Sequence, residues 1–231
     1  MTMSSKDNEK TEIICEFCGE KLMVDPWELL HNDVRGHTAC KKLLRKYQRI
    51  GIDRRFWILP KFHIEDGNQK AWEITNEFIK NPNGKGIFFF GPAGTGKTHL
   101  AVKIAQEIDL KTRLIKMPKL LLQLRANFNT PNSWKNEDII NELASCELLI
   151  IDDLGAEKTS DWVEETIYLL IDERYGKMLP TVLTSNYPLS EIAKRVGDRV
   201  CSRIVEMCRV VSINTSDKRR TTKPLESGAG L

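Results

Sequence analysis

The sequence predicts an α/β fold built on a largely parallel sheet, preceded by a small metal-binding module. Three observations lead there. From about residue 69 onward, short apolar strand-like runs alternate with amphipathic helical segments, the pattern of a sheet buried on both faces. One of those runs is followed directly by a glycine-rich GxxxxGK[ST] motif that opens a helix. Three cysteines and a histidine also gather within the first forty residues at metal-ligand spacing.

The chain has 231 residues, 41% of them hydrophobic, which is room for one large domain or for one of about 150 residues with a small companion. Its formal net charge of +3 excludes an acidic disordered tail protein and a uniformly basic coat protein. That value hides an asymmetry. Residues 40–61 hold eight Lys/Arg (Lys41, Lys42, Arg45, Lys46, Arg49, Arg54, Arg55 and Lys61) against Asp53 alone, while the remainder is mildly acidic. No apolar run approaches the ~18 residues of a membrane helix, and the first fourteen residues are too polar for a signal peptide. The expectation is a cytoplasmic chain, where clustered cysteines hold metal more often than they form disulfides.

Taken in order, residues 1–12 read as a disordered tail and residues 13–50 as a compact zinc-binding module. Residues 51–68 read as a linker, whose Arg54, Arg55, Phe56 and Trp57 tuck aromatics forward against the next domain. Trp72, Thr75, Phe78 and Ile79 keep helical spacing through residues 69–80, and Asn81-Pro82-Asn83-Gly84 stops that helix. Five strands are expected at residues 87–90, 113–115, 148–151, 181–184 and 210–213. Helices are expected at 99–108, 118–127, 137–143 and 162–175. The domain that carries the glycine-rich motif then spans 69–220, and residues 221–231 read as a second disordered tail.

Gly91, Pro92, Ala93, Gly94, Thr95, Gly96, Lys97 and Thr98 form the glycine-rich motif, with His99 next in the helix that it opens. Glycines let successive backbone N–H groups face phosphates, and the helix adds the positive end of its dipole. Lys97 is expected to reach the β- and γ-phosphates of ATP, and the Thr98 hydroxyl to ligate Mg²⁺. Leu148 to Asp153 is an apolar strand ending in two carboxylates; Asp152 is assigned to the Mg²⁺ and Asp153 to the attacking water. The strand 181–184 ends in Ser185-Asn186, where Asn186 is either a turn residue or a polar side chain placed to touch the γ-phosphate and the water. Arg199 and Arg203 stand four apart on one helical face, either as surface ion-pair partners or as a finger for a neighbouring subunit's ATP.

GPAGTGKTHLA, LLIIDDLGAE, the strand-end TSN and GDRVCSRI, in this order, resemble the AAA+ helicase loaders of the DnaC/DnaI type and the similar IstB-like transposition helper ATPases. The resemblance covers roughly residues 51–219. It implies an AAA+ core with a five-stranded parallel sheet and slow, regulatory ATP hydrolysis, in which Asn186 matches sensor 1. It also implies that Arg203 matches the arginine finger, with Arg199 in support, and that Arg219 falls where a late sensor 2 arginine lies. Thr215 and Lys218 depart from that pattern, standing for a glycine and an aromatic.

In the N-terminal module, Cys15-x-x-Cys18-Gly19 fits a knuckle turn and His37-x-x-Cys40 fits a helix start, with His31 as a rival for His37. Four S or N ligands without an open position describe structural Zn²⁺, which would supply most of the folding energy of so small a module. The resemblance again implies a partner, because DnaI-like loaders carry a small zinc domain that contacts the replicative DNA helicase. It further implies assembly into an ATP-dependent oligomer, and an extra helix after the second strand that binds single-stranded DNA. Arg125, Phe128 and Lys135 or Trp134 are the candidates there, since base stacking plus phosphate neutralisation is the minimum for such binding.

Two alternatives remain open. A transposition helper would share the core but carry a helical N-terminal domain without zinc ligands, and a small-molecule P-loop kinase would need an arginine-bearing lid and an acceptor pocket, for which the sequence offers no segment.

Overall fold

In the computed structural model, residues 11–15, 19–24, 37–82, 85–127, 134–157 and 159–217 are described. The chain divides into two compact units, residues 1–60 and 61–231. In the first, β1 (Thr11–Ile14) and β2 (Lys21–Val24) form an antiparallel hairpin, registered Thr11 to Val24 and Ile14 to Lys21. The strand starts at Thr11, inside the stretch that the sequence suggested was tail. Helix α1 (Thr38–Ile50) buries Leu44, Tyr47 and Ile50, spaced three apart, and leaves Lys42, Arg45, Lys46 and Arg49 exposed. A 3₁₀ turn comes next at Arg54–Phe56, and the Trp57 indole N–H donates to Ile52 O at 3.2 Å. That bond ties the ring to the preceding chain.

The second unit opens with α2 (Gln69–Lys80), then β3 (Gly86–Phe90), α3 (Lys97–Glu107), β4 (Thr112–Lys116), α4 (Met117–Ala126) and α5 (Trp134–Ser145). It continues through β5 (Leu148–Asp152), α6 (Asp161–Gly176), β6 (Thr181–Ser185), α7 (Leu189–Val196), α8 (Asp198–Met207) and β7 (Cys208–Ser212). The sheet order is β4-β5-β6-β3-β7, with every neighbouring pair parallel. Its central strands are buried at nearly every position, because helices cover both faces and leave no side to alternate toward water. Phe88, Leu149, Ile151 and Leu183 join a core built with side chains of α4 to α8, while α3 packs against β4, β5 and β6.

The five expected strands and four expected helices are all present with shifted ends, and β7 begins two residues early. Helix α7 was not anticipated. Its Ile192 and Val196 are buried at a spacing of four, but eight residues after a proline gave too short a period to separate from a loop. Arg174 of α6, fully buried, donates to Thr181 Oγ1 (2.9 Å), Leu143 O (2.9 Å), Cys146 O (2.8 Å) and Pro180 O (2.7 Å). It thereby ties the end of α5 to the start of β6. Burial pushes the Cys201 thiol up to about 11 and the Cys208 thiol up to about 12, so both behave as core residues and not as reactive thiols. Among the described residues, no helix is long and apolar enough to cross a membrane.

Candidate nucleotide-binding site

The order of the sheet decides where the site forms. β6 lies between β3 and β5, with Phe90 opposite Ser185 and Ile151 opposite Leu183, so the three strand ends that carry the motifs adjoin one another. In open parallel sheets, ligands bind at the carboxyl ends of such strands.

The loop from Gly91 to Gly96 leaves β3 and opens α3. Gly94 has φ +80, and a Cβ there would fall 1.7 Å from Asp217 Oδ1, so backbone conformation and space both demand glycine. Gly96, at φ +98, caps α3, and a Cβ on it would meet the Phe62 ring at 2.8 Å. Lys97 is only 5% exposed, and its Nζ donates to Gly91 O and Pro92 O, each at 2.7 Å. A buried ammonium held on the loop's own carbonyls lies against the backbone that would wrap a phosphate chain.

Asp152, at the end of β5, is 1% exposed. Its Oδ1 accepts hydrogen bonds from Thr98 Oγ1 (2.8 Å) and Thr184 Oγ1 (2.7 Å). Burial pushes this carboxyl up from its ordinary value, with the Thr184 hydroxyl opposing. Its second oxygen accepts from none of the described residues. A buried carboxylate with an unengaged oxygen, beside a threonine hydroxyl at a helix start, is a donor set that suits Mg²⁺. Asp153 comes next at φ 60, a left-handed conformation held by the bond from its N–H to Thr184 Oγ1 at 3.0 Å. That turn swings its carboxylate out of the strand line.

The sequence reading of these residues singled out Asn186 but not its neighbours. Thr184 contacts both acidic residues, and Ser185 O accepts from Gly91 N–H (3.3 Å) while Ser185 Oγ donates to Leu154 O (2.7 Å). Asn186 itself is exposed at the strand end. The only signal for Thr184 was its place two residues before Asn186, on a strand next to that of Asp152. Phe62 carried no motif. It stacks on Trp72 (5.1 Å, 8°) and meets His99 edge-on (5.1 Å, 60°), forming an aromatic wall beside the end of the loop. Burial, with Lys103 adding to it, holds the His99 imidazole below its ordinary range, so it lines that wall uncharged. After β7, Ile213 N–H donates to Phe90 O (2.8 Å), and the chain passes over the loop to Asp217. Arg219 lies outside the described residues.

Arg199 and Arg203 are not brought to the loop. Both lie against α6, Arg199 over the Tyr168 ring (5.9 Å) and Arg203 over Tyr175 (4.4 Å) and bonded to Asp172. Of the single-stranded DNA candidates, Arg125 stacks over Trp162 at 5.0 Å. Phe128 and the side chains of Trp134 and Lys135 lie outside the described residues.

In the N-terminal unit, the ligand atoms of Cys15, His37 and Cys40 lie within 4.8 Å of one another. Cys15 is buried in the hairpin turn, where its N–H donates to Glu20 O (2.8 Å) and its carbonyl accepts from Gly19 N–H (2.9 Å). His37 and Cys40 sit at and just inside the start of α1. The turn and the helix start therefore converge on one point, and two thiols and an imidazole are the softer donors that zinc takes. Cys18 and His31 lie outside the described residues.

The parallel sheet with a phosphate loop, a buried acidic strand end and a polar neighbouring strand end defines an AAA+ P-loop ATP-binding core. Residues 72–226 match the family of IstB-like ATP binding proteins, and the chain belongs to that family. It is 25% identical over 199 residues to the replicative helicase loader DnaC of Escherichia coli K12, covering 80% of each chain. To the replicative helicase loader DnaI of Bacillus subtilis it is 29% identical over 138 residues, 56% of this chain and 43% of that protein. A crystal structure of the DnaC helicase loader superposes with a TM-score of 0.62 at 28% identity, covering 70% of this chain and 100% of that one.

Proposed function

We propose that this protein is an ATP-switched loader that engages a hexameric replicative DNA helicase and helps place it on single-stranded DNA. The observation that carries the reading is the match to DnaC, a replicative helicase loader, which runs through four-fifths of both chains. Under this reading the N-terminal unit, folded around Zn²⁺ on Cys15, Cys18, His37 and Cys40, meets the helicase. The ATPase unit, cytoplasmic and oligomeric when ATP is bound, meets the DNA through the α4 region and Arg125.

Within one subunit, the loop amides from Gly91 to Thr98 and the Lys97 ammonium bind the phosphates. Thr98 and Asp152 are the residues that would hold Mg²⁺, which neutralises charge on the β- and γ-oxygens when bound. Asp153 orients the attacking water, and Asn186 reports the γ-phosphate. Arg203, with Arg199 in support, serves the ATP of a neighbour, because its own contacts are with α6 and not with the loop. A site completed only across an interface is silent in the isolated subunit, which suits slow and regulatory hydrolysis.

The resemblance to IstB-like proteins leaves a second reading, a transposition helper that presents target DNA to a transposase. The gathered Cys15, His37 and Cys40 favour the loader, since the helper type resembles this chain only in its core. Capture of the full chain, with ATP, on its host's hexameric helicase and separately on a transposase decides between them. Retention by the helicase that is lost in Cys15→Ser is expected. Retention by the transposase alone would overturn the loader reading.

A further inference from the structure

An arginine that must reach across an interface needs something in its own subunit to aim it. α6 carries Tyr168, Asp172 and Tyr175 at spacings of four and three, and α8 carries Arg199, Arg203 and Glu206 at the same spacings. The two rows meet rung by rung. Arg199 lies over Tyr168; Arg203 lies over Tyr175 at 4.4 Å and donates its Nε–H to Asp172 Oδ1 at 2.8 Å; the Tyr175 hydroxyl donates to Glu206 at 2.6 Å.

The way in which Arg203 is held matters more than the fact that it is. Asp172 takes only the Nε edge and Tyr175 takes one face. The two terminal nitrogens of Arg203 bond to none of the described residues, and the side chain is about a third exposed, at 32%. A guanidinium is a rigid planar fork, so fixing one edge and one face fixes the direction of the other N–H groups. Arg195, one helix earlier, shows the opposite arrangement: it lies 3.8 Å over Tyr187 and donates Nη1 to Gly155 O within its own subunit. Partly exposed ion pairs add little to stability, so the Asp172–Arg203 contact has small value as a fold-holding device.

We infer that Asp172 is the positioning residue of Arg203, holding the guanidinium at the subunit edge so that its two terminal nitrogens meet phosphoryl oxygens of a neighbour's ATP. The inference rests on the reading that Arg203 acts in trans. Its physical content is preorganisation. A loose arginine must be ordered for each turnover, and misplacement of a charge-stabilising group by about 1 Å costs on the order of a hundredfold in rate.

The test uses the full chain under conditions that promote assembly. Asp172→Asn should lower kcat by about tenfold or more with KM for ATP within about threefold, and Asp172→Glu should recover part of the loss. Mixing variants adds a readout that a merely structural role would not give. Asp172→Asn mixed with Asp153→Ala should regain activity, because each supplies the half-site that the other lacks; mixed with Arg203→Ala it should not, because both lesions lie in the same half. Wild-type turnover in Asp172→Asn, where Arg203→Ala is inactive, would overturn the assignment. So would failure of the Asp172→Asn and Asp153→Ala mixture where Arg203→Ala and Asp153→Ala complement each other. Full turnover in Arg203→Ala would remove the trans reading itself, and the assignment with it.

Discussion

Replacing Thr184 by valine keeps the shape of the β6 end and removes one oxygen, and that oxygen joins two strands. It donates to Asp152 Oδ1 at 2.7 Å and accepts from Asp153 N–H at 3.0 Å. A hydrogen bond to a carboxylate contributes about 1.5–3 kcal/mol, and a buried N–H left without an acceptor costs about 1–3 kcal/mol. Valine fills the space, so no cavity term is added, and the expected loss is about 3 kcal/mol. For a unit of this size, that is a fall in Tm of roughly 6–12 °C. Thr184→Ser should restore most of it. The same change acts on chemistry through charge. The carboxyl of Asp152 is already raised by burial, and the Thr184 hydroxyl is what opposes that rise. A folded-state pKa above the unfolded one means that protonation favours the fold. This contribution is complete below the ordinary 3.8 and is lost as pH rises through the raised value, while Mg²⁺ affinity, which needs the anion, rises across the same window. In Thr184→Val the window should move to higher pH. Thermal unfolding and Mg²⁺-dependent ATP binding, each followed against pH in wild type, Thr184→Val and Thr184→Ser, measure both effects. Wild-type Tm together with an unmoved Mg²⁺ profile in Thr184→Val would refute the reasoning.

Lys97→Ala should weaken ATP binding strongly, whereas Asp153→Ala should retain ATP and lose hydrolysis, because a water-orienting group adds little ground-state affinity; equilibrium binding and turnover of both variants check the division of labour. Purified protein should hold about one zinc per chain, and Cys15→Ser should unfold the N-terminal unit while leaving nucleotide binding intact, as metal analysis and limited proteolysis would report. Arg174→Met should strip donors from three backbone carbonyls and Thr181 Oγ1, lowering stability by about 3 kcal/mol or more in denaturant unfolding.

The fold was legible because its central strands β3 and β5 are almost continuously apolar while its helices alternate apolar and polar positions. Leu148 to Ile151 and Ile87 to Phe89 can only be central parallel strands once a phosphate loop comes directly after one of them. The hairpin of β1 and β2 was not legible. Four-residue strands in a unit this small, with Ile14 and Met23 exposed, leave no burial pattern to read. Within the site, the residues that stand in motifs could be nominated from the sequence, and those that matter by adjacency could not. Thr184 matters because β6 happens to lie between β3 and β5, Phe62 because α2 brings Trp72 beneath it, and Asp217 because the chain after β7 crosses the loop. Sheet order and chain return are long-range facts, and no local spacing encodes them.

On the reading that Arg203 acts in trans, strand β6 also connects the two halves of the shared site. Its last residues touch the phosphate loop through Ser185 O and the acidic pair through Thr184 Oγ1, and Asn186 comes next. Only Tyr187 and Pro188 then separate this end from α7. Tyr187 is held down, its N–H donating to Ser185 Oγ at 3.0 Å and its ring packed under Arg195. The single residue Gly197 joins α7 to α8, on which Arg199 and Arg203 stand, and Asp172 and Tyr175 clamp α8 to α6. From the strand end that would sense one nucleotide to the arginines offered to the next, the chain is short and braced at each step. A shift at the end of β6 would be expected to carry α7 and α8 with it, because only residues 186–188 and Gly197 join these elements. On that reading, a series of such subunits would report ATP from one interface to the next through β6, α7 and α8.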